Sequence, residues 1–68
     1  MRIEYDKENN VAYLYFEEKI KAGEVKRTVP INDDELILDL DKNSKVLGIE
    51  FLDARKSLPS ALLRKQLA

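Results

Sequence analysis

Sixty-eight residues allow one domain, and folding at that length buries only roughly 60% of the surface that the unfolded chain exposes, so the stability margin is narrow. The chain has neither cysteine nor histidine, which removes disulfides, thiolate zinc sites and the usual neutral-pH proton shuttle. A net charge of −1 gives no global attraction to nucleic acid, and no apolar run approaches the roughly 20 residues of a membrane span. Met1 to Asp6 lacks the apolar stretch of a signal peptide, so a cytoplasmic protein is the expectation.

Along the chain, Ile3 and Tyr5 share one face of a first strand, while Ala12, Leu14 and Phe16 share one face of a second. The polar turn Lys7-Glu8-Asn9-Asn10 separates them. Glu17 to Gly23 is a charged connection, and Val25 and Val29 mark a third strand that Pro30 is expected to end, because proline cannot donate to a ladder. Asn32-Asp33-Asp34 reads as a turn. Leu36, Leu38 and Leu40 then alternate with Ile37 and Asp39, and Leu47, Ile49 and Phe51 alternate with Gly48 and Glu50. Pairing Leu36 with Phe51, Leu38 with Ile49 and Leu40 with Leu47 sets all six on one face, and a slip of one residue would expose them.

The segment from Tyr5 to Phe16 aligns without a gap on Leu40 to Phe51 at an offset of 35 residues. Asp6 meets Asp41, Lys7 meets Lys42, Val11 meets Val46 and Phe16 meets Phe51. In both copies a polar turn divides two alternating runs, so the core is expected to be two similar hairpins.

From Leu58 to Leu67 the tail reads as a helix, with Pro59 tolerated in its first turn and Ser57 as a cap. Leu58, Leu62, Leu63 and Leu67 spread over about half the helix circumference, wider than the roughly 100° stripe that one contact surface needs. Either Leu58 and Leu62 face the sheet while Leu63 and Leu67 face a second subunit or another protein, or the short helix simply wraps an edge of the core. On the opposite sheet face Val11, Tyr13, Tyr15, Ile37 and Val46 stand among Arg2, Glu4, Asp39 and Glu50. Tyrosine is enriched at interfaces, although it is also an ordinary strand residue.

The chemical motifs are sparse. Asp39, Asp41, Asn43 and Glu50 match the ligand spacing of a calcium loop, but Ser44 stands where the sharp turn wants glycine, Lys45 follows it, and the flanks alternate as strands do. Ser44, Ser57, Ser60 and Thr28 have no histidine to activate them. Gly23 and Gly48 are isolated, so no phosphate-binding glycine loop exists. Lys19, Lys21, Lys26 and Arg27 are too few for a basic aromatic nucleic-acid surface. Charge is nonetheless sorted: acids gather at Asp33, Asp34, Glu35, Asp39 and Asp41, whereas Arg55, Lys56, Arg64 and Lys65 follow Ala54 with no acid among them. The plain reading is solvated faces; the sharper one is partner complementarity.

Tyr5-Asp6, Val11-Ala12-Tyr13-Leu14, Leu36 to Asp41 and, most specifically, Gly48-Ile49-Glu50-Phe51-Leu52-Asp53-Ala54 resemble the DUF2283 family of small prokaryotic proteins over about residues 1–58. The family's second turn commonly carries glycine where this chain has Ser44. The resemblance implies a compact antiparallel sheet with a helical tail and no assigned enzyme activity. Some similar proteins lie beside toxin-like genes and are proposed antitoxins.

The expected architecture is α+β, an antiparallel β-meander of four to five strands over residues 1–53 with a C-terminal helix from residues 54–68 packed on one face, all in one domain. The expected function is protein association: a homo-oligomer, or a partner such as a toxin, bound through Tyr13, Tyr15, Ile37, Leu63 and Leu67. No catalytic residue, cofactor or metal is assigned. The alternative is a ligand- or metal-binding regulator that uses the acidic hairpin from Asp39 to Glu50.

Overall fold

A computed structural model describes residues 1–65. Five strands, β1 (Arg2–Asp6), β2 (Val11–Tyr15), β3 (Arg27–Ile31), β4 (Leu36–Leu40) and β5 (Val46–Phe51), precede two short helices, α1 (Ala54–Ser57) and α2 (Ser60–Lys65). The strands form one antiparallel sheet in the order β1-β2-β5-β4-β3. The protein is thus mostly β, and its sheet is not a pure meander. The two hairpins β1–β2 and β4–β5 lie side by side through β2 and β5, and the chain between β2 and β3 carries β3 to the far edge. Strand composition accounts for that order. β5 contributes the buried Leu47, Gly48 and Phe51 and takes the centre, whereas the largely exposed β3, with Arg27, Thr28 and Pro30, suits an edge.

Pro30 does not end the third strand but sits inside it, opposite Ile37. An edge strand tolerates proline because one side of its backbone needs no partner. Asn32-Asp33-Asp34 turns as expected, with all three residues at positive φ and the Glu35 N–H donating to the Asn32 carbonyl at 3.1 Å. Leu36 pairs with Phe51 and Leu38 with Ile49, but a register shift at Asp39/Leu40 sets Leu40 opposite Val46 instead of Leu47. The second hairpin therefore carries a bulge that the first lacks, since β1 and β2 pair without a break from Arg2–Tyr15 to Asp6–Val11. Phe16 falls just beyond β2 and is 42% exposed, not part of the core face.

The core forms between the helices and the β1, β2, β5 part of the sheet. Ala12, Phe51, Ala54 and Leu63 are buried together, with Ile3, Tyr5, Leu14, Leu36, Ile49 and Leu58 packed against them. The tail is not one helix. Leu58 is extended (φ −119, ψ 147), because the proline that follows disfavours the helical region for the residue before it. Ser57 accordingly ends α1 instead of capping a longer helix, and the Pro59 carbonyl accepts the Leu62 and Leu63 N–H groups. This break re-aims the tail. Leu63, expected to face away from the sheet, is 5% exposed within the core, while Leu62 borders a groove with Ile3 and Leu14. Leu67 lies outside the described residues.

Candidate functional site

The sheet face opposite the helices is built by period-two alternation. Glu4 stands opposite Tyr13 and Arg2 opposite Tyr15 on β1–β2; Tyr13 faces Glu50 and Tyr15 faces Gly48 on β2–β5; Ile37 faces Glu50 and Asp39 faces Gly48 on β4–β5. Tyr13, Tyr15 and Ile37 therefore share one face. Val46 departs from them, since the bulge sets it opposite Leu40.

The two tyrosines lie against each other, with ring centroids 4.6 Å apart and planes inclined by 53°, a favoured tilted arrangement. The Arg2 guanidinium sits 3.9 Å from the centre of the Tyr15 ring and also pairs with Glu4 at 3.0 Å. Tyr15 donates its hydroxyl proton to Glu4 at 2.7 Å, and Tyr13 donates to Asp39 at 2.6 Å. These bonds set the titration of the face. Burial, then the bond to Asp39, pushes the Tyr13 phenol far above its ordinary range. The bond to Glu4 raises Tyr15, and the same bond, helped by Arg2, lowers Glu4. Both tyrosine hydroxyls are thus bonded within the fold, so the surface offers half-buried aromatic area with its hydroxyls held in place.

Gly48, in sequence an isolated glycine in the alternation of β5 and the start of the stretch that carries the family resemblance, is what admits the Tyr13 ring. A Cβ on Gly48 would lie 2.6 Å from Tyr13 Cζ, far inside contact distance. Asn10 is a second residue that the sequence pattern does not single out. At φ 56 its side chain donates to Asp53 at 2.7 Å and accepts the Arg55 N–H at 2.9 Å, while its carbonyl accepts the Ala54 N–H at 2.9 Å. The first hairpin turn thereby holds the start of α1. A conformationally special Asn in a turn is the only sequence signal for it.

The acidic hairpin spends its oxygens locally. Asp39 is engaged by Tyr13, and Asp41 Oδ1 accepts the Asn43 and Lys45 N–H groups at 2.8 and 2.9 Å to close the turn. Ser44 takes φ 61, the conformation for which a glycine would be favoured. Glu17 is pushed up by its hydrogen bond to Glu24 and by the nearby Asp41 charge, but among the described residues no three acidic groups come together in a way that could hold a metal. No helix of the described chain is long and apolar enough to cross a membrane.

No curated protein and no solved structure gives a significant match to the chain. The model of DUF2283, a protein family of unknown function, matches residues 2–55, across all five strands and into α1, and the chain belongs to that family.

Proposed function

We propose that this protein acts by association and not by catalysis, and that it self-associates through the tyrosine-bearing sheet face. The observation that carries this reading is the asymmetry of the sheet. Its own helices pack over one face, whereas Tyr13, Tyr15 and Ile37 stand together on the other with no described element packed over them. Rigid aromatic rings with fixed hydroxyls lose little entropy on binding, and a narrow stability margin favours added burial. A toxin whose active surface this face covers would be a heterologous partner of the same kind. The reading rests on the tyrosine face and not on the acidic hairpin, because Asp39 and Asp41 are already engaged.

Light scattering and melting curves across a concentration series test it. Self-association raises the melting midpoint with protein concentration, and Ile37→Lys gives a monomer whose secondary structure is intact. A monomeric mass at about 100 µM with a concentration-independent midpoint overturns the reading.

A further inference from the structure

On the helix side, away from the tyrosine face, Lys7 of the first turn, Arg55 of α1 and Arg64 of α2 line one cavity of about 190 Å³ together with Tyr5, Ser60 and Leu63. Three elements thus contribute basic residues to the lining of a single cavity, and among the described residues no acid lines it. Two cations elsewhere are paired, Arg2 with Glu4 and Lys56 with Glu35. Among the described residues Lys7, Arg55 and Arg64 make no ion pair and no side-chain hydrogen bond.

The convergence is built in. The Asn10 clamp ties the first turn to the backbone of Ala54 and Arg55, so Lys7 and Arg55 are held near each other across a long stretch of chain. Leu63, 5% exposed, anchors α2 and so sets where the neighbouring Arg64 leaves the backbone. Gathering like charges costs free energy unless an anion joins them, and this chain has 13 acidic residues with which it could have neutralised the cluster.

We propose that this cavity binds a phosphoryl group, carried by a small molecule or free. Guanidinium groups can match phosphate oxygens in bidentate fashion, Lys7 adds a point charge, Ser60 offers a hydroxyl, and Tyr5 gives apolar surface for a short organic body. The volume is below the roughly 300–1,000 Å³ of drug-sized sites and suits one phosphoryl group with a small substituent. The site is independent of the proposed self-association.

The test is a titration of the full chain, followed by amide shifts, with phenyl phosphate, inorganic phosphate and benzoate at low salt. Phenyl phosphate or inorganic phosphate saturates shifts at Lys7, Arg55 and Ser60 with a Kd of about 0.1–1 mM, and whichever binds more tightly identifies the source. Benzoate binds at least ~10-fold more weakly. The double variant R55Q/R64Q and the separate K7Q each retain the native melt, and the double variant loses ~10-fold or more in phosphate affinity. Tyr13→Phe, on the other face, leaves it unchanged. Absence of saturation by about 10 mM, equal binding of benzoate, or retained affinity in folded R55Q/R64Q overturns the proposal.

Discussion

Tyr13 lies across Gly48, its ring filling the space where any other residue would place a Cβ, and from there its hydroxyl reaches Asp39 at 2.6 Å. One glycine on β5 thus sets the position of a tyrosine on β2 and its bond to an aspartate on β4. Gly48→Ala must displace the ring, because Cβ would stand 2.5 Å from the Tyr13 hydroxyl oxygen. The expected cost is about 1–3 kcal/mol from overpacking and the lost bond, read by urea melts. A variant as stable as the parent would show that the ring is not fixed there.

The same contact makes stability depend on alkaline pH. The folded chain keeps Tyr13 protonated beyond the ordinary phenol value of 10.0, so the unfolded chain ionises first. The stabilisation is complete below about pH 10 and is lost progressively above it, because the unfolded state there binds fewer protons. Tyr13→Phe should cost about 1–2 kcal/mol at neutral pH, since it leaves Asp39 without its donor, and should flatten the alkaline loss. Urea melts at about pH 8 and about pH 11 on both proteins check it, and an equal alkaline slope in the variant would contradict the assignment.

How far the sequence reveals this fold depends on how local each determinant is. Leu36 with Phe51 and Leu38 with Ile49 were legible because alternation fixes which face a strand residue takes, and the same logic set Tyr13, Tyr15 and Ile37 together. The bulge was not legible, since the 35-residue repeat carries Tyr5–Ala12 onto Leu40–Leu47, whereas Leu40 pairs with Val46, one residue nearer in the chain. Nor was the place of Pro30, because whether a strand is central or at an edge is a property of the assembled sheet. The clamp of Asn10 on Asp53 and the meeting of Lys7 with Arg55 join residues distant in sequence and leave no periodic trace.

Asn10 gives a two-part prediction. Asn10→Gly keeps the left-handed backbone but loses the side-chain bonds to Asp53 and Arg55, for an expected cost of about 1–2 kcal/mol. Asn10→Ala loses the same bonds but keeps a Cβ at φ 56, without the local side-chain hydrogen bonding that lets asparagine tolerate that region, and should cost about 1 kcal/mol more than the glycine variant. Thermal melts of the pair separate the two contributions. Equal stability of the two variants would mean that backbone conformation is not limiting at this turn.

Ser44 is the opposite case. It holds φ 61, and its hydroxyl has only a long 3.4 Å contact from exposed Arg27. Ser44→Gly removes the left-handed penalty while Asp41 still closes the turn through the Asn43 and Lys45 N–H groups. A gain of about 0.5–1 kcal/mol is expected, reduced from the full penalty by glycine's greater freedom in the unfolded chain. A loss of stability in chemical melts would show that the Ser44 hydroxyl matters more than its backbone conformation.

The break at Leu58-Pro59 supplies the last prediction, because it decides which tail leucine belongs to the core. A continuous helix would have turned Leu63 outward; the extended Leu58 instead lets α2 start afresh at Ser60 and carries Leu63 into contact with the cluster of Ala12, Phe51 and Ala54. Leu63→Ala should cost about 2–4 kcal/mol, a large share of the roughly 5 kcal/mol that a domain of this size has, and should unfold much of the population on mild warming. Leu62→Ala, at a half-buried groove position beside Ile3 and Leu14, should cost about 1–2 kcal/mol. Neither substitution touches the tyrosine face, so sizing at a temperature where both variants are folded should find association unchanged. Circular dichroism melts give the ranking, and a Leu62→Ala penalty equal to or above that of Leu63→Ala would mean that α2 meets the sheet through its other side.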